Sequence, residues 1–91
     1  MKYRLVFPAS YEKAERRFLR RHPDLKSRYA KTLALLEADP YHPSLRLHAL
    51  EGRLRGLHSV SINLQYRITL ELEIREREIV LVHIGGHGEV Y

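Results

Sequence analysis

Residues 67–74 read Arg-Ile-Thr-Leu-Glu-Leu-Glu-Ile. Aliphatic and polar side chains alternate without a break, which is the period of a strand and not of a helix. Ile68, Leu70, Leu72 and Ile74 share one face, and Arg67, Thr69, Glu71 and Glu73 share the other. Such a segment belongs in a sheet with one face packed and one face open. Arg75-Glu76-Arg77 then reads as a charged turn, and Glu78 to Ile84 as a more uniformly apolar, central strand. At 91 residues the chain supports a single domain, 1–91, with one core.

The rest of the chain supplies the layer that covers this sheet. Lys2 to Phe7 alternates, with Tyr3, Leu5 and Phe7 on one face, and Pro8 ends it. Ser10 is placed to cap a helix from Tyr11 to Arg21, whose Tyr11, Ala14 and Phe18 recur near helical spacing. Pro23 suits the first turn of a second helix, with Asp24 favourable beside its N-terminus. Leu25, Tyr29, Leu33 and Leu36 form its core stripe, and Asp39-Pro40 stops it near Ala38. Arg46 to Leu50 and His58 to Asn63 read as strands, joined through the turn glycines Gly52 and Gly56. The order is β-α-α-β-β-β-β. It predicts an α+β fold in which a two-helix hairpin packs on one face of a twisted, mainly antiparallel sheet.

Several chemistries find no support. There is no cysteine, hence no disulfide framework and no thiolate nucleophile. No histidine pair has metal-helix spacing and no carboxylate cluster accompanies them, so neither a metal nor another cofactor is expected. Ser59 and Ser61 lack the glycines of a nucleophile elbow, and no phosphate-cradling glycine loop is present. No apolar run approaches the roughly 20 residues that span a bilayer, and no signal region opens the chain; a cytoplasmic protein without membrane contact is expected.

Charge points in a positive direction. The net charge is +5, and twelve of the sixteen basic residues are arginine, whose planar fork of donors suits phosphate and carboxylate. RNA, DNA or an acidic protein partner fits such a surface, as does the arginine-rich surface of a GC-rich or heat-adapted genome. The stretch HALEGRLRGLHSVSINLQYRI, His48 to Ile68, crowds histidines and arginines around a glycine-bounded turn. Histidine and arginine on the polar side of a sheet suit RNA cleavage without metal. A base takes the 2′-OH proton, the oxygen attacks phosphorus, an acid protonates the leaving 5′-oxygen, and a fixed cation stabilises the added charge. Arg67 is the candidate cation, the alternative being a cross-strand salt bridge to a glutamate. His48 precedes the Gly52 turn, and His87 stands among Gly85, Gly86 and Gly88. A solvated terminal loop is the alternative for His87. His83, in an apolar strand, reads as a buried, hydrogen-bonded histidine. His22 leads into the second helix, His42 is a loop residue, and His58 fits either role.

Two stretches resemble the RelE/ParE superfamily of toxin–antitoxin toxins. Leu47–Ile68 resembles its RelE-, YoeB-, HigB- and YafQ-like members through Gly52, Gly56, Ser59, Ile62-Asn63 and Tyr66-Arg67-Ile68, and VHIGGHGEVY resembles their C-terminal ending. The element order matches over the whole chain. The resemblance implies a ribosome-dependent mRNA endonuclease, independent of metal, that is neutralised by an acidic or amphipathic segment of a cognate antitoxin. By that likeness Arg67 stabilises the scissile phosphate, His87 and His48 are acid–base groups, and Tyr91 lies near a terminal catalytic aromatic. Arg46, Arg53, Arg55, His58 and Gln65 then contact RNA. The chain departs from the pattern at two positions: YafQ-like members have histidine where it has Ser61 and aspartate where it has Gln65, and YoeB-like members have glutamate at the latter. The alternatives are a ParE-like, non-catalytic inhibitor of DNA gyrase, a degenerate toxin, and a basic structural RNA binder.

Overall fold

The structure is a computed structural model and describes residues 2–86. The elements are β1 (Arg4–Val6), α1 (Ala9–Arg21), α2 (Lys26–Ala38), β2 (His48–Ala49), β3 (His58–Ser61), β4 (Tyr66–Glu73) and β5 (Glu78–Gly86). Short 3-10 turns at Pro23–Leu25, Pro43–Leu45 and Gly52–Leu54 join them. The five strands form one sheet in the order β1-β5-β4-β3-β2. Only the β1–β5 pair is parallel, so the sheet is mixed and mainly antiparallel, as expected.

Prolines set the helix boundaries. α1 begins at Ala9 rather than Tyr11. Pro8 occupies the cap, its carbonyl accepting the Glu12 N–H at 2.9 Å, and Ser10 lies inside the first turn and caps nothing. Proline suits that place because the cap residue has extended backbone and needs no N–H. At the other end Pro23 forbids helical backbone at His22, which turns out at φ −131° while its N–H still bonds to the Phe18 carbonyl. Pro23 opens a 3-10 turn instead of the second helix itself, and α2 starts three residues later. It ends at Asp39, extended ahead of Pro40.

The core lies between the helices and one face of the sheet: Tyr11 and Phe18 from α1, Tyr29 and Leu36 from α2, and Val60, Ile68, Leu70, Ile79, Leu81 and Ile84 from the strands. Leu33 packs against this core as the stripe predicted, and Thr32 is buried beside it, its hydroxyl donating to the Arg28 carbonyl at 2.9 Å, as a buried hydroxyl must. β1, β2 and β3 are shorter than expected, and β4 keeps its length but runs one residue earlier. Arg46 is not in a strand: it holds left-handed backbone, φ 51°, at the end of the Pro43–Leu45 turn. Ile74, expected on the core stripe, sits in the β4–β5 turn and is 60% exposed.

One irregularity matters for the site. Thr69 pairs with His83, but Leu70 pairs with Leu81, so Val82 is an extra residue in β5. This bulge breaks the alternation of the strand. Ile79 and Leu81 point to the core, and after Val82 the phase shifts so that Ile84 points to the core and His83 shares a face with Thr69.

Candidate active site

Residues paired across neighbouring strands share a face, so the register assigns the side of the sheet away from the helices. His48, Ser59, Thr69 and His83 form one row across β2, β3, β4 and β5. Ser61, Arg67 and Gly85 form the next. Between the two histidines the row carries only small hydroxyl side chains. Ser59 and Thr69 are buried, and Ser59 Oγ has no hydrogen-bond partner among the described residues.

Arg67 is half-buried, and its cross-strand neighbours are a serine and a glycine. Glu71 and Glu73 share its strand and face but lie four and six residues on, about 14 and about 20 Å away at strand rise. Among the described residues the ion pair formed is Arg4–Glu78, at the far end of β5. The salt bridge that offered the alternative account of Arg67 is therefore not made within the described residues.

A turn holds Arg67 in place. Asn63 Oδ1 accepts the backbone N–H groups of Gln65 at 2.9 Å and Tyr66 at 2.8 Å, while Ile62 N–H bonds to the Tyr66 carbonyl. The Ile-Asn of the motif thus has a local reason: the asparagine carboxamide stands in for a backbone acceptor. Gln65 is exposed at the turn, and with Leu64, Tyr66, Arg67 and Gly86 it bounds an open depression of about 520 Å³.

His48 is exposed, with Nδ1 3.0 Å from the Arg46 carbonyl oxygen. A carbonyl only accepts, so Nδ1 carries the proton and the neutral ring keeps its lone pair on Nε2. The left-handed Arg46 aims that carbonyl and stands at the same end of the sheet as Ser61 and Arg67. Two strand spacings and one row separate His48 from Arg67, about 12 Å between backbones, within joint reach of two long side chains on one phosphodiester.

The other candidates do not gather there. His58 pairs with Leu70, on the helix side, half-buried with Nδ1 lacking a partner among the described residues; it does not share the face of Arg67. Arg53 and Arg55 are exposed on the turn between Gly52 (φ 68°) and Gly56 (φ 97°), beyond the end of β3 away from Arg67. His87 and Tyr91 lie outside the described residues. His83, read from sequence as a buried histidine, is half-buried and in the row beside Arg67. Its sequence signal is weak, since only the change of apolar phase between Leu81 and Ile84 betrays the bulge.

No protein-family profile matches this chain, and no curated protein matches it significantly. Solved structures do. The DinJ–YafQ toxin–antitoxin complex of Escherichia coli contains a chain similar over 100% of this one and 99% of its own length, at 15% identity and a TM-score of 0.78. The RelBE2 toxin–antitoxin complex of Mycobacterium tuberculosis matches at 15% identity and a TM-score of 0.72, covering 96% of this chain and 100% of that one. The heterotetrameric YoeB–YefM toxin–antitoxin complex of Staphylococcus aureus matches at 14% identity and a TM-score of 0.71, covering 96% and 99%. The chain has the fold of the RelE-like toxins, as the resemblance in its sequence implied.

Proposed function

We propose that this protein is the toxin of a type II toxin–antitoxin pair and a metal-independent endoribonuclease that cuts mRNA on the ribosome. The observation that carries this reading is Arg67, held by an asparagine-braced turn with no carboxylate paired to it among the described residues and a serine and a glycine as its cross-strand neighbours. A cation so placed is available to a phosphate, and its fork suits two phosphate oxygens.

The chemistry follows from the fixed tautomer. Nε2 of His48 takes the proton of a ribose 2′-OH, and the oxygen forms a bond to the adjacent phosphorus. Arg67 stabilises the charge that gathers on the phosphate oxygens. The bond from phosphorus to the 5′-oxygen breaks, and His87 protonates that leaving oxygen, giving a 2′,3′-cyclic phosphate and a 5′-hydroxyl. His87 and Tyr91 follow in sequence from Gly86, the register partner of Tyr66. Arg46, Arg53 and Arg55 contact the RNA backbone on either side, which holds substrate without reading sequence. An acidic or amphipathic antitoxin segment covers the basic surface, in keeping with the solved toxin–antitoxin complexes of the same fold. A cytoplasmic location follows from the ribosomal substrate, and no described helix is long and apolar enough to cross a membrane.

Gln65 favours a second reading. It is an amide where related toxins carry a carboxylate, which suits a ParE-like protein that inhibits DNA gyrase by binding alone. The two separate cleanly in one experiment. Expression of wild type should arrest growth with cleaved mRNA, and Arg67→Ala with His87→Ala should relieve the arrest. Arrest that survives both substitutions overturns the nuclease reading, and loss of supercoiling by purified gyrase in its presence establishes the other.

A further inference from the structure

A second concavity opens on the helix side of the strand end that carries Arg67. It has a volume of about 150 Å³ and is lined by Ala14, Arg17, Phe18, Arg21, His22 and Tyr66 over β5 residues 83–85. Its floor is aromatic. The ring of His22 lies 4.7 Å from Phe18 and 4.6 Å from Tyr66, centroid to centroid, and Phe18 meets Tyr66 edge-on at 5.2 Å. His22 takes this place because Pro23 turns the backbone out of α1 there and lays the imidazole against the β4 tyrosine.

Its rim is basic. Arg17 and Arg21 are exposed, one helical turn apart on the same face of α1, and neither is ion-paired among the described residues. A basic last turn complements the helix dipole, but that does not require an aromatic pocket between two arginines. A cleft of roughly 150 Å³ that is open on one side takes the six-membered ring of a base, with the second ring of a purine at its mouth. Planar rings, arginine forks and this volume together describe a seat for a nucleobase with its phosphate outside.

The cleft adjoins the candidate active site through one shared residue. Tyr66 lines both the cleft and the depression beside Arg67, and the two also take in the neighbouring glycines Gly85 and Gly86 of β5. Resting on the nuclease reading above, we propose that the Phe18/His22/Tyr66 cleft binds a base of single-stranded RNA flanking the cleaved phosphate, with Arg17 and Arg21 on the neighbouring phosphate. These are binding and positioning residues and take no part in proton transfer.

The test uses the full chain and a short single-stranded RNA carrying 2-aminopurine, a base whose fluorescence falls when it stacks. With the probe base in the cleft, wild type should quench it. His22→Ala should lose the quenching and bind about 5-fold to about 150-fold more weakly, the range for one stacked base. His22→Phe, which keeps a ring in the packing between Phe18 and Tyr66, should restore both. Arg17→Ala with Arg21→Ala, both exposed, should weaken binding and raise KM for ribosome-bound mRNA with kcat retained. Unchanged quenching, affinity and KM in the His22→Ala and double arginine variants, while Arg67→Ala still abolishes cleavage, overturns the cleft and leaves the nuclease reading standing. A wild-type protein that leaves ribosome-bound mRNA intact overturns both.

Discussion

Arg46 and Arg77 both hold left-handed backbone, at φ 51° and 54°, a region that costs a residue with a Cβ about 1 kcal/mol or more. The two arginines differ in what they offer in return. Arg77 sits in the β4–β5 turn, away from the site, and Arg77→Gly should raise stability by about 1 kcal/mol, a gain of about 4–8 °C in Tm for a domain of this size, with toxicity unchanged. Arg46→Gly should give a similar gain in a thermal melt but, on the proposed nuclease reading, weaken RNA binding, because Arg46 stands at the Ser61–Arg67 end of the sheet. His83 marks what residue-level reading misses. Its neighbours Val82 and Ile84 are apolar, so composition alone places it in the core; the extra residue in the strand turns it to the other face.

Among elements, the β3–β4 turn is the one that positions Arg67, and its test on activity rests on the proposed nuclease reading. Asn63 Oδ1 accepts two backbone N–H groups, and removing it leaves both without a partner just before Arg67. Asn63→Ala should cost about 1–2 kcal/mol in denaturant melts and lower cleavage activity, and Asn63→Asp, which keeps the acceptor oxygens, should restore most of both. The β2–β3 turn depends on glycine for a backbone reason alone. Gly56 has φ 97°, and a Cβ added there meets nothing within 4 Å, so Gly56→Ala should destabilise by about 1 kcal/mol through strain and not through a clash. Helix starts were less legible than helix ends. Ser10 is a good cap by type, yet Pro8 already provides an extended residue with a free carbonyl two positions earlier, and the helix begins as soon as the backbone allows.

For the whole molecule, one buried polar chain ties the helical layer together. Tyr29 donates its hydroxyl to Glu15 Oε2 at 2.5 Å, so the 2.7 Å contact with Tyr11 is one in which Tyr11 donates to Tyr29. Burial raises the Tyr29 hydroxyl well above its ordinary value, aided by Tyr11 and by the bond to Glu15; burial raises Tyr11 as well. The folded state therefore holds these protons more tightly than the unfolded chain does. That stabilisation is complete below the ordinary tyrosine pKa of about 10 and is lost as pH climbs beyond it. Stability measured by urea melts should fall steeply above pH ~10, and Tyr29→Phe should flatten that fall while lowering stability at neutral pH by about 1.5–3 kcal/mol. A wild-type curve that stays level from neutral pH to pH ~11 would rule out the buried chain as a source of stability.

By itself the sequence determined the element order, the side of β4 that is buried and the residues that stop each helix. Those follow from periodicity and from proline, which act within a few residues along the chain. It also singled out Arg67, because an arginine at the start of a clean alternation must lie opposite its aliphatic neighbours. Tertiary structure alone decided which of the other candidates share a face with it. Strand register brings His48 into the next row, the bulge at Val82 adds His83, and the pleat sends His58 to the opposite side. Likewise only the packing of α1 on the strand end brings His22 against Tyr66. Register and packing join residues far apart in the chain, and no local pattern encodes which of the possible pairings lets all the apolar faces be buried at once.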